Sequence, residues 1–85
     1  MSRHIVRKEN LTIAYGYDEM MPHPLGGYFF QVFDKNAESE ENPEGSVLNE
    51  GMVKGVSRNK MAELMLEYGI KNRAHLTKIA LDLPI

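Results

Sequence analysis

The chain lacks cysteine and tryptophan. Without cysteine, it can form neither a disulfide framework nor a thiolate metal site. No segment approaches the roughly 18 consecutive apolar residues of a membrane span, and the first eight residues, MSRHIVRK, lack the apolar run of a signal peptide. We therefore expect a cytoplasmic protein with no membrane partner.

The net charge is also small. Its formal value of -2 gives no whole-chain attraction to nucleic acid. Its distribution is uneven: residues 35–51 carry one basic and five acidic groups, whereas residues 52–85 carry six basic and three acidic groups. Eighty-five residues suffice for one domain with one modest core. We predict a single domain, 1–85, with strands in 1–34, an acidic loop and a possible edge strand in 35–56, and two helices in 57–83.

Three segments of the N-terminal part have the composition of β-strands. Residues 4–8 and 11–18 are separated by Glu9-Asn10, which predicts a two-residue hairpin turn. A connection rich in proline and glycine follows, and residues 28–34, YFFQVFD, form the third predicted strand. Residues 46–56 are apolar enough to pack back on the domain or to add a short edge strand.

Two short amphipathic helices are predicted at the C-terminal end. Ser57 is a suitable N-cap for the first helix, and Gly69 is suited to end it. The second helix begins at Asn72 and ends before Pro84. The apolar residues at helical spacing are Met61, Leu64, Met65 and Tyr68, followed by Leu76, Ile79, Ala80 and Leu83. The predicted fold class is α+β, a small antiparallel sheet of three or four strands with the two C-terminal helices on one face.

The third strand contains four of the seven aromatic residues, and alternation divides its side chains between two faces. One set is wholly apolar and should face the core, whereas the other contains Gln31. Phe29 and Phe33 should therefore lie on the far side of the sheet, beside the small residues of strand two if the two strands pair. The predicted interaction surface consists of Ala14, Gly16, Phe29, Gln31 and Phe33.

The sequence leaves open what contacts these two rings. They could be covered within the chain by Val47, Leu48, Met52 and Val53, or they could bind another protein or a second copy. A third alternative is a stacking platform for single-stranded nucleic acid, flanked by Arg3, Arg7 or Lys8. The net charge and the absence of an RNA-binding signature argue against that alternative. The predicted function is a non-enzymatic interaction or accessory module.

No motif points to catalysis, a cofactor or a metal. The three histidines lack the spacing of metal ligands, and the chain has neither a Gly-x-Ser-x-Gly motif nor a phosphate-binding loop. His23 lies between two prolines, as in an exposed loop, and His75 borders the apolar stripe of the last helix, where a half-buried, hydrogen-bonded role is expected. Asp18 and Asp34 end two strands and could approach each other, although such carboxylates usually terminate pairing. We therefore predict no enzyme.

Two further ligand-binding interpretations fit poorly. The glutamates at positions 38, 40, 41 and 44 do not have the spacing of a calcium loop. The two helices could form a DNA-binding helix-turn-helix, but the position six residues after Gly69 is His75 where an apolar residue is normal, and the second helix offers few basic groups. A pair of helices covering a sheet is the favoured interpretation.

Three short segments carry a resemblance to a known family: residues 14–18, AYGYD, residues 27–34, GYFFQVFD, and residues 80–84, ALDLP. Together they resemble a family of small, uncharacterised bacterial proteins. The resemblance implies a bacterial α+β domain without an assigned activity, so no catalytic or binding residue is carried over from it.

Overall fold

The computed structural model describes residues 1–19, 27–51 and 55–85. Their strands are β1 (His4–Lys8), β2 (Leu11–Tyr17), β3 (Tyr28–Asp34) and β4 (Ser46–Glu50), and their helices are α1 (Arg58–Glu67) and α2 (Arg73–Ala80). The strands form one antiparallel sheet in the order β1-β2-β3-β4. The α+β prediction is thus confirmed, with four strands.

The turn between β1 and β2 lies where the sequence predicts it. Lys8 pairs with Leu11 across the two-residue turn, and Glu9 adopts a positive φ of 53°. One region differs from expectation: Lys35–Ala37 forms a short 3-10 helix, because the Asp34 side chain accepts a hydrogen bond from the Asn36 N–H and caps it.

The hydrophobic core lies between the helices and one face of the sheet. Tyr28, Phe30 and Val32 all contribute to it and are fully buried, as alternation along β3 predicts. Their partners in the core cluster are Ile13, Tyr15, Met61, Leu64, Met65, Ile70 and Ile79. The side chains of β3 that point the other way, Phe29 among them, are absent from this cluster.

Both helices begin and end at capping residues. The Ser57 and Asn72 side chains accept hydrogen bonds from the N–H groups of Lys60 and His75, respectively, as predicted for N-caps. After α1, Gly69 has a φ of 67°, and the Ile70 N–H donates to the Met65 carbonyl over 2.8 Å. This pattern is a Schellman motif, which satisfies carbonyl groups at the helix end.

The second helix is shorter than the apolar stripe predicts. Asp82 takes a left-handed φ of 59°, and the Leu83 N–H turns back to the Lys78 carbonyl over 2.8 Å. This is a second Schellman motif, with aspartate in the position that glycine usually occupies. The helix therefore ends at Ala80, and Ala80 and Leu83 are exposed instead of buried. Neither helix of the described segments is long and apolar enough to cross a membrane.

Strand β1 is joined to the helical layer by a lysine. The Lys8 ammonium donates hydrogen bonds to the carbonyl oxygens of Tyr68 and Gly69, over 2.9 and 2.8 Å. A cation is favourable here because the carbonyl end of a helix carries a partial negative charge. Lys8 thus anchors the edge strand to the C-terminal end of α1.

We predict that Lys8→Met lowers the free energy of unfolding by about 1 kcal/mol, because it removes a cation from a helix C-terminus. Urea unfolding followed by circular dichroism measures the change. Lys60→Met is the matched control, since Lys60 is an exposed residue of α1. Equal stability of the two variants would show that the Lys8 contacts contribute nothing.

Candidate interaction surface

The face of the sheet opposite the core carries no described helix, and we refer to it as the helix-free face. The register places Ala14 opposite Gln31, Gly16 opposite Phe29, and Thr12 opposite Phe33. Residues directly opposite each other in an antiparallel pair lie on the same face. The helix-free face therefore consists of Ile5, Arg7, Thr12, Ala14, Gly16, Phe29, Gln31, Phe33, Ser46 and Asn49, with Val47 beside Ser46 at the register shift.

All five residues of the predicted surface lie on this face, but their exposure differs from expectation. Ala14 is fully buried, Phe29 is only 1% exposed and Gln31 is 9% exposed. Gly16 is also buried, whereas Phe33 keeps intermediate exposure. The expectation that Phe29 is exposed was therefore wrong, and Phe33 is the ring of this face that solvent reaches.

Close backbone approaches explain why Phe29 is buried. A Cβ atom on Gly16 would stand 3.1 Å from Cζ of the Phe29 ring and 2.3 Å from the Ser2 carbonyl oxygen. On the other side, a Cβ atom on Gly51 would stand 3.1 Å from Cβ of Phe29. The ring thus lies against Gly16, and the chain at Gly51 lies against the Cα and Cβ atoms of Phe29. A strand glycine often marks such a close approach.

Neither of the two described residues that were expected to cover the rings, Val47 and Leu48, is seen to do so. Leu48 lies opposite Val32 and packs against the core on the helix side, so it does not cover the helix-free face. Val47 lies beside the register shift between β3 and β4 and is 51% exposed. Met52 and Val53 lie outside the described residues.

A chain of polar side chains crosses the middle of the face. The Arg3 guanidinium donates to Oε1 of Gln31 over 2.9 Å, and Nε2 of Gln31 donates to Oδ1 of Asn49 over 3.4 Å. Arg3 can reach Gln31 because the nearest side chains of β2 on this face, at Ala14 and Gly16, are small. Both ends of the nearly buried amide are thereby hydrogen-bonded, which avoids a desolvation penalty of about 1–3 kcal/mol.

The accessible part of the face carries apolar, basic and neutral polar side chains. Ile5, on β1, is 43% exposed and Val47, on β4, is 51% exposed. Phe33 lies on β3, between β2 and β4, at intermediate exposure. Arg7 is exposed two residues after Ile5, on the same face, and pairs with Thr12, which pairs with Phe33. We call Ile5, Arg7, Phe33 and Val47 the contact patch. None of the strand positions on the helix-free face carries an acidic side chain.

A second polar cluster, on the helix side, was not predicted as a group. The ring centroids of His4 and His75 lie 4.2 Å apart. Nδ1 of His75 shares a 2.7 Å hydrogen bond with the Tyr15 hydroxyl, and Nε2 of His4 shares one of 2.6 Å with the main-chain oxygen of Ile85. His75 is half-buried and hydrogen-bonded, as its place beside the apolar stripe suggested. Alternation along β1 could have placed His4 on the helix side of the sheet. Only the tertiary structure shows its contact with α2.

The buried position of this cluster shifts two pKa values. Burial lowers the pKa of His75, and the nearby positive charges of His4 and Lys78 lower it further. Burial also raises the pKa of Tyr15. Both shifts favour the neutral form of the side chain.

The remaining candidate residues do not come together. Asp18 follows the C-terminal end of β2, whereas Asp34 pairs with Leu11 at the strand's other end. Antiparallel neighbours end on opposite sides of a sheet, so about 20 Å of strand separates the two carboxylates, and the idea that they approach each other was wrong. His23 lies outside the described residues. Within residues 1–19, 27–51 and 55–85, no three or more acidic, histidine or cysteine side chains are arranged to hold a metal, and no pocket is found.

Comparisons of the chain with protein-family models, with curated proteins and with solved structures give no significant match. The resemblance to small bacterial proteins therefore stays a prediction.

We predict that Gly16→Ala lowers the free energy of unfolding by about 1–3 kcal/mol, because the added methyl group forces Ser2 or Phe29 to move. Chemical unfolding by urea measures the change. Thr12→Ala, on the same strand and face, removes atoms instead of adding them and should cost less than about 1 kcal/mol. A Gly16→Ala variant as stable as the wild type would contradict the close approach of Ser2.

Proposed function

We propose that the protein is an interaction or accessory module of the cytoplasm that binds another protein through the contact patch. The proposal rests on the exposure of Ile5, Phe33 and Val47 on a sheet face that no described helix covers. Apolar side chains grouped on one face of a small domain gain free energy when a partner removes them from water.

The charges around the contact patch indicate the chemistry of the partner. Arg7 is exposed and Arg3 borders the face, whereas no strand position of the face is acidic. Complementary charge speeds association and disfavours wrong partners. The partner surface should therefore combine apolar side chains with carboxylates.

The size of the patch favours a transient complex over a permanent dimer. A stable interface buries about 800 Å² on each partner. Ile5 and Val47 are about half exposed, and Phe33 is less so. Three partly exposed side chains supply only a fraction of that area, so a second copy of the chain is a weaker candidate than a dedicated partner.

Burial of Phe29 also weakens the nucleic-acid alternative. A ring that is 1% exposed cannot stack on a base, and each stacked base contributes about 1–3 kcal/mol. Phe33 alone would have to supply this stacking free energy. Ile5 and Val47 instead offer aliphatic surface, which suits a protein partner.

Photo-cross-linking in the native host tests the proposal directly. A benzoylphenylalanine at position 33 should cross-link to a protein, and the same group at position 66, where Leu66 is 70% exposed on α1, should not cross-link to it. The purified partner should then bind at least about tenfold more weakly to an Ile5→Ser, Phe33→Ser variant, because two apolar contacts are lost.

Leu66→Ser is the matched control, since it removes an equally apolar and more exposed side chain from the helical layer. It should leave the affinity unchanged. Cross-linking at position 33 only to nucleic acid, or only to a second copy of the chain, would contradict the proposed partner class. Equal affinity of all variants for a captured protein would contradict the contact patch.

A further inference from the structure

The C-terminal residues 81–85 cross the end of the core as a strap. Tyr28 donates its hydroxyl hydrogen to the Leu83 carbonyl over 2.7 Å, and His4 holds the Ile85 oxygen over 2.6 Å. Ile85 packs against the core cluster. The strap is therefore attached to β3 through a tyrosine and to β1 through a histidine.

The same histidine connects the strap to α2. His4 contacts the His75 ring at a centroid distance of 4.2 Å, and His75 in turn holds the Tyr15 hydroxyl of β2. Two imidazoles thus lie where the edge strand, the second helix and the strap meet. A positive charge on one ring of such a close pair opposes a positive charge on the other.

None of the groups that shift the pKa of His75 is acidic. The groups that face it are His4 from β1, the neutral Tyr15 from β2 and Lys78 from its own helix. None of the charged groups that shift its pKa comes from α1. Protonation of His75 is therefore opposed by burial and by the positive charges of His4 and Lys78.

We propose that His4 and His75 form a pH-sensitive latch, which holds α2 and the strap on the sheet while His75 is neutral and loosens them when His75 is protonated. The latch is independent of the contact patch, which lies on the other face of the sheet.

The direction of the pH effect follows from linkage. Because the folded state lowers the pKa of His75, the unfolded or opened chain binds a proton more readily than the closed chain. The contribution of His75 to stability is complete above its ordinary pKa of about 6.5 and is lost as the pH falls through the lower folded pKa. The latch should therefore hold at pH 7.5 and weaken near pH 5.

Amide hydrogen exchange of the full chain at pH 7.5 and pH 5 tests the latch, with rates corrected for intrinsic exchange at each pH. The Leu81 and Leu83 amides, which bond to carbonyls of α2, should lose protection at least about tenfold at pH 5. Amides shared by β2 and β3 should keep theirs, since local opening leaves the core closed. Unchanged protection of the strap, or an equal loss throughout the chain, would overturn the proposal.

Three substitutions assign the effect to its source. His75→Gln keeps a hydrogen-bonding group that does not titrate, so it should remove the acid-induced loss, and His4→Gln should reduce it. His23→Gln removes the third imidazole of the chain and should leave the loss intact. The latch would be refuted if His23→Gln abolished the acid-induced loss of protection, or if His75→Gln left that loss undiminished. If His75→Gln does not fold, the exchange pattern of the wild type decides.

Discussion

Strand β3 is buried on both of its faces, and most of the structure depends on this constraint. Its residues from Tyr28 to Val32 are all buried, although successive side chains point in opposite directions. One set forms the floor of the core beneath the helices. The other set, Phe29 and Gln31, lies in the helix-free face, where glycine positions and a polar chain enclose it. The two edges of β3 are hydrogen-bonded to β2 and β4, so the strand is covered on its faces and paired along its edges.

The edge strand β1 has a different role, because its two faces serve different purposes. His4 and Lys8 point toward the helical layer and contact the strap and the end of α1, respectively. Ile5 and Arg7 point the other way and supply half of the contact patch. The strand that anchors the helices therefore also presents the proposed binding surface. Charged residues on an edge strand also discourage uncontrolled pairing with other chains.

Local signals were sufficient to predict the elements. The hairpin at Glu9, the caps at Ser57 and Asn72 and the glycine after α1 are recognised within a few residues of chain, because each reflects a backbone angle or a hydrogen bond between near neighbours. The end of α2 was missed because aspartate seldom takes the left-handed conformation that Asp82 adopts. An apolar stripe extending past that residue gives no sign of the turn.

What the sequence alone determined is the direction of each side chain: alternation along β3 was enough to assign Phe30 to the core and Phe29 to the opposite face. Only the tertiary structure decided how exposed those side chains are. The Ser2 backbone reaches Gly16, Arg3 reaches Gln31, and His4 meets His75. Each of these contacts joins residues far apart in the chain. The distance between them in space depends on how the strands and helices are placed. Periodicity specifies the face of the sheet or helix on which a residue lies. Its environment on that face depends on distant parts of the chain, which a local pattern does not reveal.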